Sequence, residues 1–331
     1  MDSCLTRLDT LCFAGRSRPR CLAVTGGLLL ALCFIIETLS CDFAATVPNE
    51  ARPVFLTTAL WGVAFLLYLA GVTLVWNWRG WPAARSLFMW AVLFRTVLLW
   101  SEPILEVDIY RYLWDGQVIR SGVSPYRFTP AEVAIAPADS ASDEPFGRLV
   151  RLRDSSPARS KMLSRVHYPE IPTIYPPASQ VVFALAAMIT PRQAGLTAHV
   201  RVMKFLLLLF DLGTVLLLMS LLTRMGRPPA QALIYAWCPL VLKEFANSGH
   251  LDCIAVFLVV LTLRLLLAVR PGQDESGSVN RAAGLASVAW AGATLAKLYP
   301  VVLFPVVARY LWRQIGRRAF VPLGIYAGLT V

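Results

Sequence analysis

Charge is scarce in this chain. Only 15% of its 331 residues are Asp, Glu, Lys or Arg, whereas a soluble domain carries about a quarter. With 57% hydrophobic residues and a mean hydropathy of +0.60, the shortage excludes an ordinary soluble domain and implies an all-α, polytopic integral membrane protein. Acids are outnumbered, 20 to 31 basic residues, for a net charge of +11. In a membrane protein such an excess marks cytoplasmic loops, so no nucleic-acid partner is inferred. The 7 cysteines include no CxxC pair, which leaves no visible disulfide framework or metal knuckle. Cys12, Cys21, Cys33, Cys238 and Cys253 stand in or beside apolar runs and read as small buried side chains. No repeat stands out at a period of about 20 to 50 residues.

What the chain has instead is apolar runs of spanning length. A basic start with Arg7, Arg16, Arg18 and Arg20 precedes Cys21–Leu39. This is read as an uncleaved first span with its N-terminus inside; a cleaved signal peptide is the competing reading. Val54–Trp76 and Ala83–Trp100 follow, separated by a turn with Trp78, Arg79 and Trp81 that reads as cytoplasmic. Arg95 lies inside the third run and reads as an arginine that snorkels to an interface or pairs with Glu102. Phe205–Leu222, Ala230–Phe245, Leu251–Val269, Ala282–Leu298 and Val301–Trp312 complete a set of about eight to nine spans in a single transmembrane domain covering residues 1–331. Val181–Ile189 is too short to span, and whether it crosses is left open. Arg270–Arg281 reads as a polar cytoplasmic loop, and the apolar run reaching Val331 suggests a truncated C-terminus.

The longest polar segment, residues 101–177, reads as an external loop. Its first part, Glu106 to Gly116, is charged and aromatic. A surface helix is expected near residues 104–120. In it Asp108, Arg111 and Asp115 share one water-facing side, with Ile109, Leu113 and Val118 turned to the membrane. The competing reading is an exposed ion-pair ladder. Ala131–Glu144 is expected to be flexible, and Arg148–Arg165 is a basic stretch read as solvated, with contact to anionic headgroups as the alternative. The prolines of Ile171–Pro177 impose an extended turn.

By counting spans, three polar clusters converge on the outer face: Glu106–Asp115, Lys243–Asp252 and Lys297–Tyr299. Polar groups at membrane level are costly and often functional when clustered. Glu106 or Asp108 could deprotonate a hydroxyl as it attacks an activated centre. A nearby Lys, Arg or His could hold a phosphate leaving group. The same two carboxylates could instead hold a divalent ion, Mg or Mn, though two ligands make a thin site. His250, accompanied by Glu244, Asn247 and Asp252, and Lys297, beside Tyr299, are each read as functional or as interfacial anchors. Trp114 and Tyr126 could stack on a sugar or mark an interface.

The run Asp108-Ile109-Tyr110-Arg111-Tyr112-Leu113-Trp114-Asp115-Gly116, followed by Gly122-Val123-Ser124-Pro125-Tyr126-Arg127, resembles the first external loop of bacterial GT-C glycosyltransferases. Within that superfamily the resemblance is to the polyprenyl-phosphate-mannose-dependent mannosyltransferases. Ile174-Tyr175-Pro176-Pro177 is similar to that group's loop exit, and Pro239 with Glu244 and Ser248-Gly249-His250-Leu251-Asp252 to its later span junction. Lys297-Leu298-Tyr299-Pro300 resembles a Lys-(Ile/Leu)-Tyr-Pro element also found in the eukaryotic GPI first mannosyltransferase. The likeness covers roughly Leu99 to Pro305, and the four motifs in order are more specific for the superfamily than for a substrate.

The resemblance implies a multi-span fold in the bacterial inner membrane, with the site on the periplasmic face. It implies a polyprenyl-phosphate sugar donor, a glycan, lipid or protein acceptor, an acidic base and inversion at the anomeric carbon. By position Asp108 is the base candidate, and Glu106 remains open because Val107 separates the two acids. Arg111, His250 and Lys297 become candidates to bind the lipid phosphate or orient the sugar. Tyr110, Trp114, Asp115, Tyr126, Tyr175, Glu244, Asp252 and Tyr299 join them as substrate-binding candidates. The rival expectations are a lipid-linked-sugar flippase and a non-catalytic envelope-assembly protein. One-sided clustering of charge and the lack of a repeat count against a transporter.

Overall fold

A computed structural model describes residues 18–78, 81–269 and 278–330. The basic start with Arg7, Cys12 and Arg16, the pair Arg79 and Gly80, and 270–277 of the polar loop lie outside the described residues. Every regular element among the described residues is helical. In chain order these are α1 Arg18–Leu39, α2 Val54–Val75, α3 Trp81–Leu99, α4 Ile109–Arg120, α5 Pro130–Ile135, α6 Pro145–Asp154, α7 Pro157–Ser164, α8 Pro177–Ile189 and α9 Leu196–Arg224. After several short turns come α10 Asp252–Leu266, α11 Ser278–Ala296, α12 Phe304–Ile315 and α13 Phe320–Thr330. Four of them, α1, α2, α3 and α9, are long and apolar enough to cross a membrane. This agrees with a membrane protein, since hydrocarbon forces a single segment to satisfy its backbone internally.

The later apolar runs take other forms than the spans expected of them. Ala230–Phe245 is broken into a 3-10 turn at Pro229–Ala232, single helical turns at Leu233–Ala236 and Pro239–Val241, and a π-helical turn at Leu242–Asn247. Pro228, Pro229 and Pro239 bring no N–H to a helical ladder, so no continuous helix can run through them. α10 has 15 residues, roughly 22 Å of helix against a hydrocarbon core of ~30 Å. Val301–Trp312 divides into a 3-10 turn at Tyr299–Leu303, which carries Pro300, and α12.

The chain forms two compact units. The first comprises the described residues of Met1–Glu102 together with Leu218–Lys243. Gly26 lets α1 close on α3: a Cβ there would lie 2.7 Å from the Trp90 ring. Phe94 meets Trp237 edge-on at 5.3 Å, and the Trp237 indole donates to the Leu87 carbonyl at 3.2 Å. Arg95 does not snorkel. It is 1% exposed and donates to the carbonyls of Ala91 and Ala236 at 3.1 and 2.8 Å. The proline-broken Leu233–Ala236 turn leaves the Ala236 carbonyl open to accept this bond.

The second unit, Pro103–Leu217 with the described residues of Glu244–Val331, holds the polar motifs. The helix expected near residues 104–120 forms at 109–120, but it is a core helix and not a surface one. Arg111 and Asp115 are 5% and 2% exposed. The charges are buried because the rest of the loop folds over them. Pro130, Pro145, Pro157 and Pro177 each open a helix, where a fixed φ and a missing N–H cost nothing. A Thr129–Glu132 capping box secures α5 inside the stretch expected to be flexible. The basic stretch Arg148–Arg165 forms most of α6 and α7.

Helix α8 packs hard against α4. Tyr112 stacks on Phe183 with centroids 4.7 Å apart, and a Cβ on Gly116 would fall 2.2 Å from the Phe183 carbonyl oxygen. Beyond this pair, α10, α11, α12 and α13 build an apolar core around Trp290, which stacks on Tyr326 at 3.6 Å. The Ser179 hydroxyl donates to the Ala296 carbonyl at 2.8 Å and so ties the start of α8 to the end of α11.

Candidate functional site

Four stretches far apart in sequence meet in the second unit at the N-terminal end of α4. Pro103–Val107 leads in, pinned where the Ile104 N–H donates to Asn247 Oδ1 at 3.1 Å. Leu105 sits at φ 59°, a conformation that is strained for a branched side chain. Glu106 Oε1 accepts from the backbone N–H groups of Val107 and Asp108 at 2.9 and 3.1 Å, so it braces the turn. Asp108 precedes the first helical residue. Its side chain makes no capping bond and remains about 30% exposed.

The junction after the π-helical turn brings in the second group. Gly249 adopts φ +68°, and a Cβ there would meet Ile109 Cδ1 at 2.8 Å and Lys204 Cγ at 3.0 Å. The positive φ calls for glycine. The turn delivers His250 with Nε2 3.9 Å from Asp108 Oδ2 and Nδ1 2.5 Å from Asp252 Oδ2. Lys297, just past the end of α11, donates to the same Asp252 oxygen at 2.9 Å. The Tyr175 hydroxyl, from the extended segment before α8, donates to Asp108 Oδ2 at 2.8 Å. The result is a chain of contacts from Tyr175 through Asp108, His250 and Asp252 to Lys297.

The electrostatics follow from the geometry. Burial alone would lower the pKa of His250, but the hydrogen bond and charge of Asp252 outweigh it and raise the imidazole above its ordinary 6.5. Burial would raise Asp252, yet hydrogen bonds from His250 and Lys297 hold it below its ordinary 3.8. Burial, then the neighbouring Asp108 carboxylate, push the Tyr175 phenol far above its usual range, so it serves as a donor. Beneath the site, burial raises Asp115 to about 6 against hydrogen bonds from Thr173 and Gln180 and the charge of Arg111. Gln180 Nε2 donates to Asp115 Oδ2 at 3.0 Å.

The remaining candidates divide. Asp108, Arg111 and Tyr175 line a cavity of about 150 Å³ with Tyr168, Ile171 and Ile174. Arg111, however, donates to the carbonyls of His167, Tyr168 and Ile171 at 3.2, 2.7 and 3.1 Å, and thereby holds the loop together. Trp114 is 2% exposed and offers no face to a sugar. Tyr110 is buried and accepts from Arg165 at 2.9 Å, with that guanidinium over its ring. Tyr126 lies half exposed, its hydroxyl donating to the Tyr175 carbonyl at 2.8 Å. Glu244 offers its backbone carbonyl to the His250 N–H at 2.9 Å, and Tyr299 is exposed beside the Asp252 charge. Among the described residues no group of three or more His, Cys, Asp or Glu has the arrangement of a metal site.

Sequence reasoning missed Thr173 and Gln180 as organising residues, and named Asn247 only as a companion of His250. Gln180 carried a signal, since it is a polar side chain within the otherwise apolar run that follows Pro177. No protein-family model, no curated protein and no solved structure matches this chain.

Proposed function

We propose that the protein is a membrane glycosyltransferase of GT-C type. It moves a hexose, mannose foremost, from a polyprenyl phosphate to an acceptor hydroxyl on a glycan, lipid or protein at the outer face of the inner membrane. The observation that carries this reading is the meeting of Asp108, His250 and Lys297, which belong to three separate motifs of the GT-C resemblance. His250 Nε2 stands 3.9 Å from Asp108, and His250 and Lys297 both contact Asp252.

In this reading Asp108 takes the proton from the acceptor hydroxyl as its oxygen attacks the anomeric carbon. The bond to the lipid phosphate breaks on the opposite side, giving inversion. The leaving phosphate gains negative charge, which His250 and Lys297 stabilise. Asp252 fixes both side chains in place. Glu106 has one oxygen committed to two backbone N–H groups, which favours Asp108 as the base. Tyr175 orients the Asp108 carboxylate through their hydrogen bond.

The test is transfer of radiolabelled mannose from polyprenyl phosphate mannose in membranes. Asp108→Asn should lower the rate by about 100-fold or more while the protein still accumulates in the membrane. Wild-type transfer by that variant overturns the assignment of the base, and the same assay on Glu106→Gln then tests the other acid.

A further inference from the structure

Both ends of α4 carry polar structure, and the proposed transfer reaction uses only the first. At the far end, roughly 18 Å along the helix from Asp108, a cavity of about 330 Å³ is lined by Arg120, Arg148, Arg151, Arg159 and Arg192. No carboxylate lines it. Arg120 donates to the carbonyls of Ala187 and Thr190, and Arg159 to Ser155 Oγ and the Arg192 carbonyl. The Nε atoms of Arg148 and Arg159 are buried without a hydrogen-bond partner. Arg159 is 8% exposed, and burial followed by the charges of Arg120 and Arg192 lowers its pKa. Only Arg151 has a carboxylate partner here, the exposed Asp143 at 2.9 Å. Guanidinium groups gathered so closely repel one another, and an anion among them removes that cost.

A second cavity, of about 400 Å³, flanks the same last turn of α4. Ile119 lines it beside Val181, Leu185 and Met188 of α8. Ile119 and Arg120 are consecutive, so an almost wholly apolar groove adjoins one lined by five arginines together with Gln117, Ser121, Leu152 and Ser155. A free inorganic anion needs only the arginine-lined cavity. A ligand with a phosphate head and a hydrocarbon chain uses both.

We propose that this end of α4 binds the phosphate of an anionic membrane lipid, with the lipid chain along Ile119, Val181, Leu185 and Met188. The site is separate from the Asp108 centre and stands whether or not the protein transfers a sugar.

The experiment uses the full chain purified in detergent, with bound lipid counted by native mass spectrometry. The probes are phosphatidylglycerol, phosphatidylcholine and inorganic phosphate. Wild-type protein should retain phosphatidylglycerol over phosphatidylcholine. The variant Arg151→Gln/Arg192→Gln changes two exposed side chains and should weaken that retention by about tenfold or more, the loss expected for charge-assisted hydrogen bonds. Leu185→Gln should weaken phosphatidylglycerol retention too. Equal retention of the two lipids by wild type, or unchanged retention by the double variant, overturns the proposal. Saturable binding of inorganic phosphate that survives Leu185→Gln without any lipid preference would make this a free-anion site and overturn the lipid assignment.

Discussion

His250 stands between two carboxylates, Nδ1 2.5 Å from Asp252 and Nε2 3.9 Å from Asp108. The first contact fixes the ring and favours its protonated form. The second turns the other N–H toward the proposed base. A single imidazole therefore joins the acidic start of α4 to the Asp252–Lys297 pair.

The pH dependence of stability should carry this arrangement. His250 has a raised folded pKa, so its contribution is complete below the ordinary 6.5 and fades as pH rises through the raised value. Asp252 has a lowered folded pKa, so its contribution is complete above the ordinary 3.8 and fades as pH falls through the lowered value. His250→Gln should cost about 1 kcal/mol near pH 5 to 6, a figure reduced for partial exposure. The cost should shrink at higher pH. Thermal unfolding in detergent across pH measures it, and a pH-independent difference contradicts the account.

Lys297 should separate charge from packing. Under the proposed reaction, Lys297→Gln removes a cation from the leaving phosphate and should slow turnover by about 100-fold. Lys297→Arg keeps the charge and should recover part of the rate. Steady-state kinetics on the mannosyl donor distinguish the two. Identical losses in both variants would speak for a purely packing role.

Asp115 makes the opposite pH prediction from Asp252. Burial raises its folded pKa to about 6 from 3.8, so the folded state holds this proton more tightly than the unfolded chain. Stability should therefore fall as pH rises between those two values. Asp115→Asn should flatten that slope with little loss of stability. Asp115→Leu removes one acceptor of Gln180, whose Nε2 still reaches Thr173 Oγ1 at 3.1 Å, and should cost about 1 kcal/mol. Unfolding midpoints of the three proteins between pH 4 and 7 decide it.

Gly116 tests the α4–α8 contact that supports the site. The methyl group of Gly116→Ala would fall 2.2 Å from the Phe183 carbonyl oxygen, and backbone cannot swing aside as a side chain can. The two helices must separate, at about 1 to 3 kcal/mol. Because Tyr175 and Gln180 flank the start of α8, transfer activity should fall along with stability. An unfolding midpoint equal to wild type would show that the contact is looser than described.

Composition and hydropathy alone determined that the chain is helical and suited to a membrane, because burying backbone in hydrocarbon leaves few other choices. The runs that became α1, α2, α3 and α9 were legible for that reason. Ala230–Phe245 was not, since its apolar content reads as a span while its prolines prevent a continuous helix. The motif residues were legible one at a time, as charged or aromatic side chains where such groups are costly. Their partnerships were not. Hydrophobic periodicity made Arg111 and Asp115 a water-facing stripe, whereas the returning segment at residues 167–173 satisfies Arg111 with backbone carbonyls, and Thr173 and Gln180 bond Asp115. Span counting already expected the clusters of Asp108, His250 with Asp252, and Lys297 to converge; only tertiary structure decided which of these side chains touch and added Tyr175 to them. Contacts between residues tens to more than a hundred positions apart depend on how helices pack, and local sequence does not encode that packing.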